Sequence, residues 1–267
     1  MTISDILTAA LLGVVEGITE FLPVSSTGHL ILLVDLLGFN GPPGRVFEVV
    51  IQFGAILGVC WVYKDRLLPL IANPAALGNR RLWVVLGVGF LPAALIGFLA
   101  HGFIKSVLFN PLVVSGSLVA GGIAIIVIER LALRSHVASI DEITPAQAVK
   151  IGLCQALAMI PGTSRSGATI MGGLIFGLDR RTAAEFSFLL AIPTMFAASG
   201  YDLYRSWGNL DGDGAVLLAV GFAAAFASAI LSVRWLVSFL SRHSFTLFGW
   251  YRIVVGVLMA LWLLRPQ

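Results

Sequence analysis

Glu16-Gly-Ile-Thr-Glu20-Phe-Leu-Pro23-Val-Ser-Ser-Thr-Gly28-His29 sets two carboxylates, a cluster of hydroxyls and an imidazole into a largely apolar stretch, residues 6–36. Pro161-Gly-Thr-Ser-Arg165-Ser-Gly167 interrupts a second apolar stretch, 146–178, in the same way. Proline, glycine and hydroxyl clusters in mid-run stop a helix. Each stretch therefore reads as a helical hairpin that enters a membrane and turns back. The unpaired backbone of such a turn is tolerated at membrane depth only inside protein or beside a wet cavity. The two loops are thus expected to face each other within a bundle.

The rest of the chain supports that setting. Of 267 residues 58% are hydrophobic and 12% charged, about half the charge of an ordinary soluble domain. No Asp, Glu, Lys or Arg occurs in 82–104, 106–128 or 214–233, and each run meets the roughly 20 residues a helix needs to cross the hydrocarbon core. Candidate spans lie near 47–63, 83–100, 112–129, 182–204, 214–236 and 245–264. The expected fold is an all-α polytopic membrane protein: six transmembrane helices plus two re-entrant helical hairpins, forming a single integral membrane domain.

Charge sets the expected orientation. Placing the loops 64–81 and 129–150, the pair Arg180-Arg181 and the turn 234–242 in the cytoplasm puts 11 of the 17 basic residues inside, as the positive-inside rule requires. Arg45, Lys105, Arg205 and Arg265 remain outside with Asp202, Asp211 and Asp213, and both termini face outward. Arg165 and Arg252 fall within the membrane. The first segment has no signal-peptide layout, because Asp5 precedes it and Glu16 and Glu20 interrupt it. Two cysteines, Cys60 and Cys154, are too few for a disulfide framework. No basic cluster with interleaved aromatics suggests nucleic acid.

A weak internal repeat pairs Gly13 with Gly152, Glu16 with Gln155, Pro23 with Pro161, Ser26 with Ser164, Gly28 with Gly167 and Glu48 with Glu185. Each copy, about 1–130 and 145–267, holds one hairpin and three spans, so the second is expected to be inverted relative to the first. Inverted repeats with broken helices place a site near the bilayer midplane between the halves.

Ionisable groups at that depth are costly and default to function. Glu16 and Glu20, four apart, share a helix face and could hold a hard divalent cation, Mg2+ or Ca2+, through oxygen ligands. Ser25, Ser26 and Thr27 stand where a new helix begins. Capping explains one of them, and helix N-terminal N–H groups also bind phosphate. His29 can lie on the same side of the first turn as Ser26 and exchange a proton with it or with a leaving oxygen. Arg165 stays charged and presents a fork of donors suited to phosphate. It needs an anionic partner, either a ligand or Glu16 or Glu20. Gly162, Thr163, Ser164, Ser166 and Gly167 surround it, with glycines that let backbone approach a ligand closely. Glu48 and Glu185 could brace the loops from neighbouring helices.

At these residues the chain resembles the BacA-type undecaprenyl-diphosphate phosphatases of bacterial inner membranes. Glu16 to His29 is similar to that family's first motif and Pro161 to Gly167 to its second; Phe186-Ser-Phe-Leu-Leu-Ala-Ile-Pro193 also resembles a family segment. The resemblance implies a phosphoric anhydride hydrolase that removes the terminal phosphate of a C55 isoprenyl diphosphate, regenerating the monophosphate carrier for peptidoglycan and other envelope polymers. It also implies a divalent-cation requirement, a multi-pass protein of the inner membrane with its site open to the periplasm, and bacitracin resistance on overproduction. The implied partners are the polyprenyl diphosphate and membrane lipids, with a homodimer left open. By the family's assignment Ser26 is the favoured nucleophile, with Glu16, Glu20, His29 and Arg165 around it, and direct attack by water stays open as the alternative. The rival reading is a polyprenyl-phosphate transporter or flippase, because paired broken helices in inverted repeats are also a transporter signature.

Overall fold

In the computed structural model residues 2–39, 41, 46–103, 110–131, 133–206 and 214–265 are described. Arg45, Lys105, Asp211, Asp213 and the side chain of Arg205 lie outside them. The described chain is helical: α1 (Ile3–Thr19), α2 (Ser26–Leu37), α3 (Val46–Val62), α4 (Lys64–Ala72), α5 (Leu77–Phe103), α6 (Pro111–Arg130), α7 (Pro145–Ala156), α8 (Arg165–Ile175), α9 (Arg180–Ser206), α10 (Ala215–Leu240) and α11 (Thr246–Leu263). A single parallel β-bridge, Val137 to Leu178, is the strand-like pairing among these residues.

Local chemistry sets the helix starts. Thr2 and Asp5 form a reciprocal capping box ahead of α1, and Thr144 and Gln147 form another ahead of α7. Each satisfies two N–H groups that a helix leaves orphaned. The Asn110 side chain caps α6, with Pro111 at its first position. α2 ends on Gly38 in the left-handed region at φ 58°.

Five helices, α5, α6, α9, α10 and α11, are long and apolar enough to cross a membrane. The sixth expected span, near 47–63, corresponds to α3, which together with α4 forms a bent apolar pair that counts as a sixth span. α3 has 17 residues, about 25 Å at the usual rise, and the chain then turns by 84° into α4. α4 begins on Lys64-Asp65-Arg66, charges whose desolvation opposes continuing straight into hydrocarbon. Arg66 instead pairs with Asp141 in the loop before α7.

Burial distinguishes inner helices from outer ones. In its membrane-length segment α9 is 56% buried, whereas α5 and α11 are 28% buried. The outer helices expose Leu91, Leu95, Phe98, Leu99, Leu258 and Leu261, an apolar girdle that suits lipid. Because lipid is as apolar as leucine, close backbone packing rather than hydrophobic exclusion must hold such helices together. Gly13 and Gly17 on α1 lie directly on the α10 backbone at Gly221 and Ala225. Gly122 of α6 meets Gly249 of α11, where an added Cβ would sit 2.6 Å from the Gly249 carbonyl oxygen. α1 and α3 thus flank α10, α5 packs on α7, α6 pairs with α11, and α3 pairs with α9.

Candidate phosphoryl-transfer site

Both apolar stretches that the sequence marked as broken are helix, loop, helix. α1 gives way at Glu20 and α2 begins at Ser26; α7 runs into a 3-10 turn, Leu157–Met159, and α8 begins at Arg165. Ser25 and Ser164, the residues just ahead of α2 and α8, have φ of 74° and 72°. Among the described residues they are the two non-glycine positions with positive φ. Such a backbone costs of order 1–3 kcal/mol and persists where the surroundings enforce it. This match also corrects the register of the repeat at the loops: Ser25, not Ser26, corresponds to Ser164, which places Ser26 opposite Arg165.

The two loops meet. Ser26 Oγ donates to Glu20 Oε2 at 2.5 Å. Glu20 Oε1 lies 3.4 Å from both Nε and Nη2 of Arg165. One carboxylate therefore spans the hydroxyl of the first loop and the guanidinium of the second. The Arg165 contact is long for a charge-assisted bond, and Glu20 is not its sole partner: Nη1 donates to the Ser187 carbonyl of α9 at 3.0 Å. Ser166 Oγ donates to the Leu22 carbonyl at 2.8 Å, joining α8 to the first loop, and Ser164 Oγ caps α8 at Gly167 N.

These groups open onto a cavity of about 690 Å3, within the roughly 300–1,000 Å3 usual for small-ligand sites. Glu20, Ser25, Ser26, Thr27, Gly162, Ser164 and Arg165 line its polar end, and two helix N-termini meet there. That is an anion-binding arrangement, because terminal N–H groups and helix dipoles both favour negative charge.

Other candidates fall elsewhere. Glu16 is 2% exposed and lies behind the cavity, one turn from Glu20, with the charges of Glu20, Glu48 and Arg165 acting on it. Its Oε2 is buried without a hydrogen-bond partner. Thr163, Ser166 and Gly167 shape the second loop but do not line the cavity. Glu185 does not brace the loops, because it pairs with Arg181 one turn earlier on α9.

His29 departs from expectation most clearly. Nδ1 lies 2.7 Å from the Ser25 carbonyl and Nε2 lies 2.7 Å from the Tyr251 hydroxyl. A carbonyl only accepts, so Nδ1 carries the proton and Nε2 accepts from Tyr251. Binding back to the carbonyl four residues earlier turns the ring away from Ser26. It stacks on Tyr251 and lines a separate groove.

Arg252 of α11 escaped the functional reading although its charge within an apolar run was visible. It is 1% exposed and donates to five main-chain carbonyls: Pro23 in the first loop, Gly162 and Thr163 in the second, and Ser117 and Leu118 on α6. The guanidinium fork satisfies the carbonyls that the broken helices leave open, and ties both loops to one helix. Gln52, Gln155 and Thr194 also line the cavity, where Gln155 Nε2 donates to Thr194 Oγ1 at 3.2 Å. A lone amide in the apolar α3 was the sequence signal for Gln52.

The implied cation can be tested against these residues. No group of three or more His, Cys, Asp or Glu side chains among the described residues could hold a metal. Glu20 on the cavity wall and Glu16 one turn behind it, with an oxygen lacking any partner, are the oxygen donors of the chemical type a hard cation such as Mg2+ takes.

Comparison with known proteins agrees with the motifs. The model of the family described as bacitracin resistance protein BacA matches residues 9–258. Undecaprenyl-diphosphatase 2 of Paramagnetospirillum magneticum is 54% identical, covering 97% of this chain and 99% of that protein. The undecaprenyl-diphosphatases of Aromatoleum aromaticum and Parvibaculum lavamentivorans are 53% and 52% identical, covering 96% and 97% of this chain and 94% and 97% of theirs. A match running through both broken hairpins and nearly every helix around them makes this chain a member of the BacA family.

Proposed function

We propose that the chain is an undecaprenyl-diphosphatase acting by nucleophilic phosphoryl transfer. The observation that carries this is the Glu20 carboxylate held between the Ser26 hydroxyl and the Arg165 guanidinium, beside two helix N-termini. The terminal phosphoryl group is gripped by Arg165 and by the N–H groups that open α2 and α8, which neutralise charge as it spreads over the equatorial oxygens. Glu20 accepts the Ser26 proton. The Oγ–P bond forms as the bridging P–O bond breaks, and undecaprenyl phosphate leaves. Water then attacks the phosphoserine and releases phosphate. His29 is a positioning residue in this scheme, holding Ser25 in its strained backbone so that Ser26 faces Glu20.

A divalent cation would be held by Glu16 and Glu20, and would supply further neutralisation of phosphoryl charge. The charge distribution supports a cavity facing the periplasm, and the matched order of hairpins and helix pairs supports inverted halves. Phosphate release from a long-chain prenyl diphosphate by the purified chain in detergent tests the proposal. An enzyme needs no second compartment, so turnover in micelles is expected; its absence there, with substrate movement across liposomes, would favour the transporter.

A further inference from the structure

We propose that the isoprenyl chain of the substrate leaves the phosphate site sideways between α5 and α9, and that small residues facing this gap set which chains are accepted. The inference rests on the phosphatase reading and extends the same cavity to its lipid end.

The cavity is polar at one end only. Away from Arg165 its walls are Ala94, Gly97 and Phe98 on α5 and Ala197, Ala198 and Tyr201 on α9. Phe98 is 83% exposed, and residues 196–198 are exposed as well, so the wall continues onto the lipid-facing surface. A lipid diphosphate has this profile: an anion, then an unbroken apolar chain. Its headgroup would lie against Arg165 while its first isoprene units run along the alanines. The undecaprenyl chain far exceeds a cavity of about 690 Å3, so most of it must stay in the bilayer, which requires a lateral opening continuous with the phosphate site.

The competing groove fits less well. It measures about 520 Å3 between α1, α2 and α11, with His29 and Tyr251 among its walls. It shares no lining residue with the phosphate cavity, and the hydrogen bond from Tyr251 to His29 lies between it and the Ser25 loop. A chain lying there would have to pass that pair. At Gly97, by contrast, the neighbour is the flexible thioether of Met159, whose Cε would sit 3.1 Å from an added Cβ. That wall can yield to a chain of varying shape.

A long-chain prenyl diphosphate carrying a diazirine on its second isoprene unit is the probe. It is incubated with the full chain in detergent, photolysed, and the labelled peptides are mapped. Labelling is expected on α5 around Phe98 and on α9 around Ala198, and unlabelled substrate should compete it away. Ala94→Trp and Ala198→Trp should each lower labelling about tenfold or more and raise KM without a matching fall in kcat. Leu258→Trp, in the other groove, should do neither. Competed labelling that falls on α2 and α11 overturns the lateral exit and leaves the phosphate site standing. The absence of any competed labelling overturns both the exit and the phosphate-site reading.

Discussion

Ser26 donates to Glu20 and not to His29, so the proposed mechanism gives Glu20 the Ser26 proton, and mutants separate the two roles. An imidazole acting as base cannot be replaced by an amide, whereas an imidazole holding the Ser25 carbonyl can. His29→Asn, whose amide can still donate, is therefore expected to keep at least about tenfold more activity than His29→Ala. Equal loss in both would return the base role to His29. Arg252 makes a second residue-level case. Arg252→Met strips the buried loop carbonyls of Pro23, Gly162 and Thr163 of their donor, each loss worth about 1–3 kcal/mol where no water replaces it. A large drop in thermal stability should accompany lost activity, with Arg252→Lys intermediate because one ammonium cannot match the fork. A variant with parental melting behaviour would contradict this role. The charge at Arg252 was plain in the sequence, but its partners are carbonyls, which leave no mark on composition. Glu16, Glu20, Ser26 and Arg165 could be picked out because ionisable groups are rare in apolar runs. The His29 geometry could not, because three residues of separation permits either face and the choice depends on Tyr251, far along the chain.

At the scale of elements, the breaks in the two hairpins follow from Pro, Gly and Ser in their sequence, and α5, α6, α9, α10 and α11 follow from length and hydropathy. The turn from α3 into α4 was harder to read. The apolar run near 47–63 matches α3 in place and length; what it does not reveal is the 84° turn into α4 that follows. The repeat register was also one residue out at the loops, because Ser-Ser offers two serines and only backbone conformation shows which one matches Ser164. Glycine spacing on α1, by contrast, has a clear structural reading. Gly17 lies against Ser228 and the backbone of α10, so Gly17→Leu should separate α1 from α10 and destabilise the protein by several kcal/mol, at about the upper end for single substitutions. Melting of the purified variant in detergent checks this, and an unchanged midpoint would contradict the close approach.

Across the whole molecule, the arrangement places a charged site in a low-dielectric interior, where fixed donors act on phosphate more strongly than in water. Helices from both halves of the chain contribute: α1 and α2 bring carboxylate and hydroxyl, α8 brings guanidinium, and α11 ties the loops together. If Ser26 and Arg165 act on one phosphoryl group, their losses cannot add. Phosphate release from undecaprenyl diphosphate by the parent, Ser26→Ala, Arg165→Ala and the double variant in detergent measures this directly. Each single change is expected to cut kcat/KM by about 100-fold or more, and the double change to be little worse than either alone. Near-parental turnover in Ser26→Ala or Arg165→Ala, or a double variant whose loss is the product of the two, would contradict the claim that both hairpins grip the same phosphate.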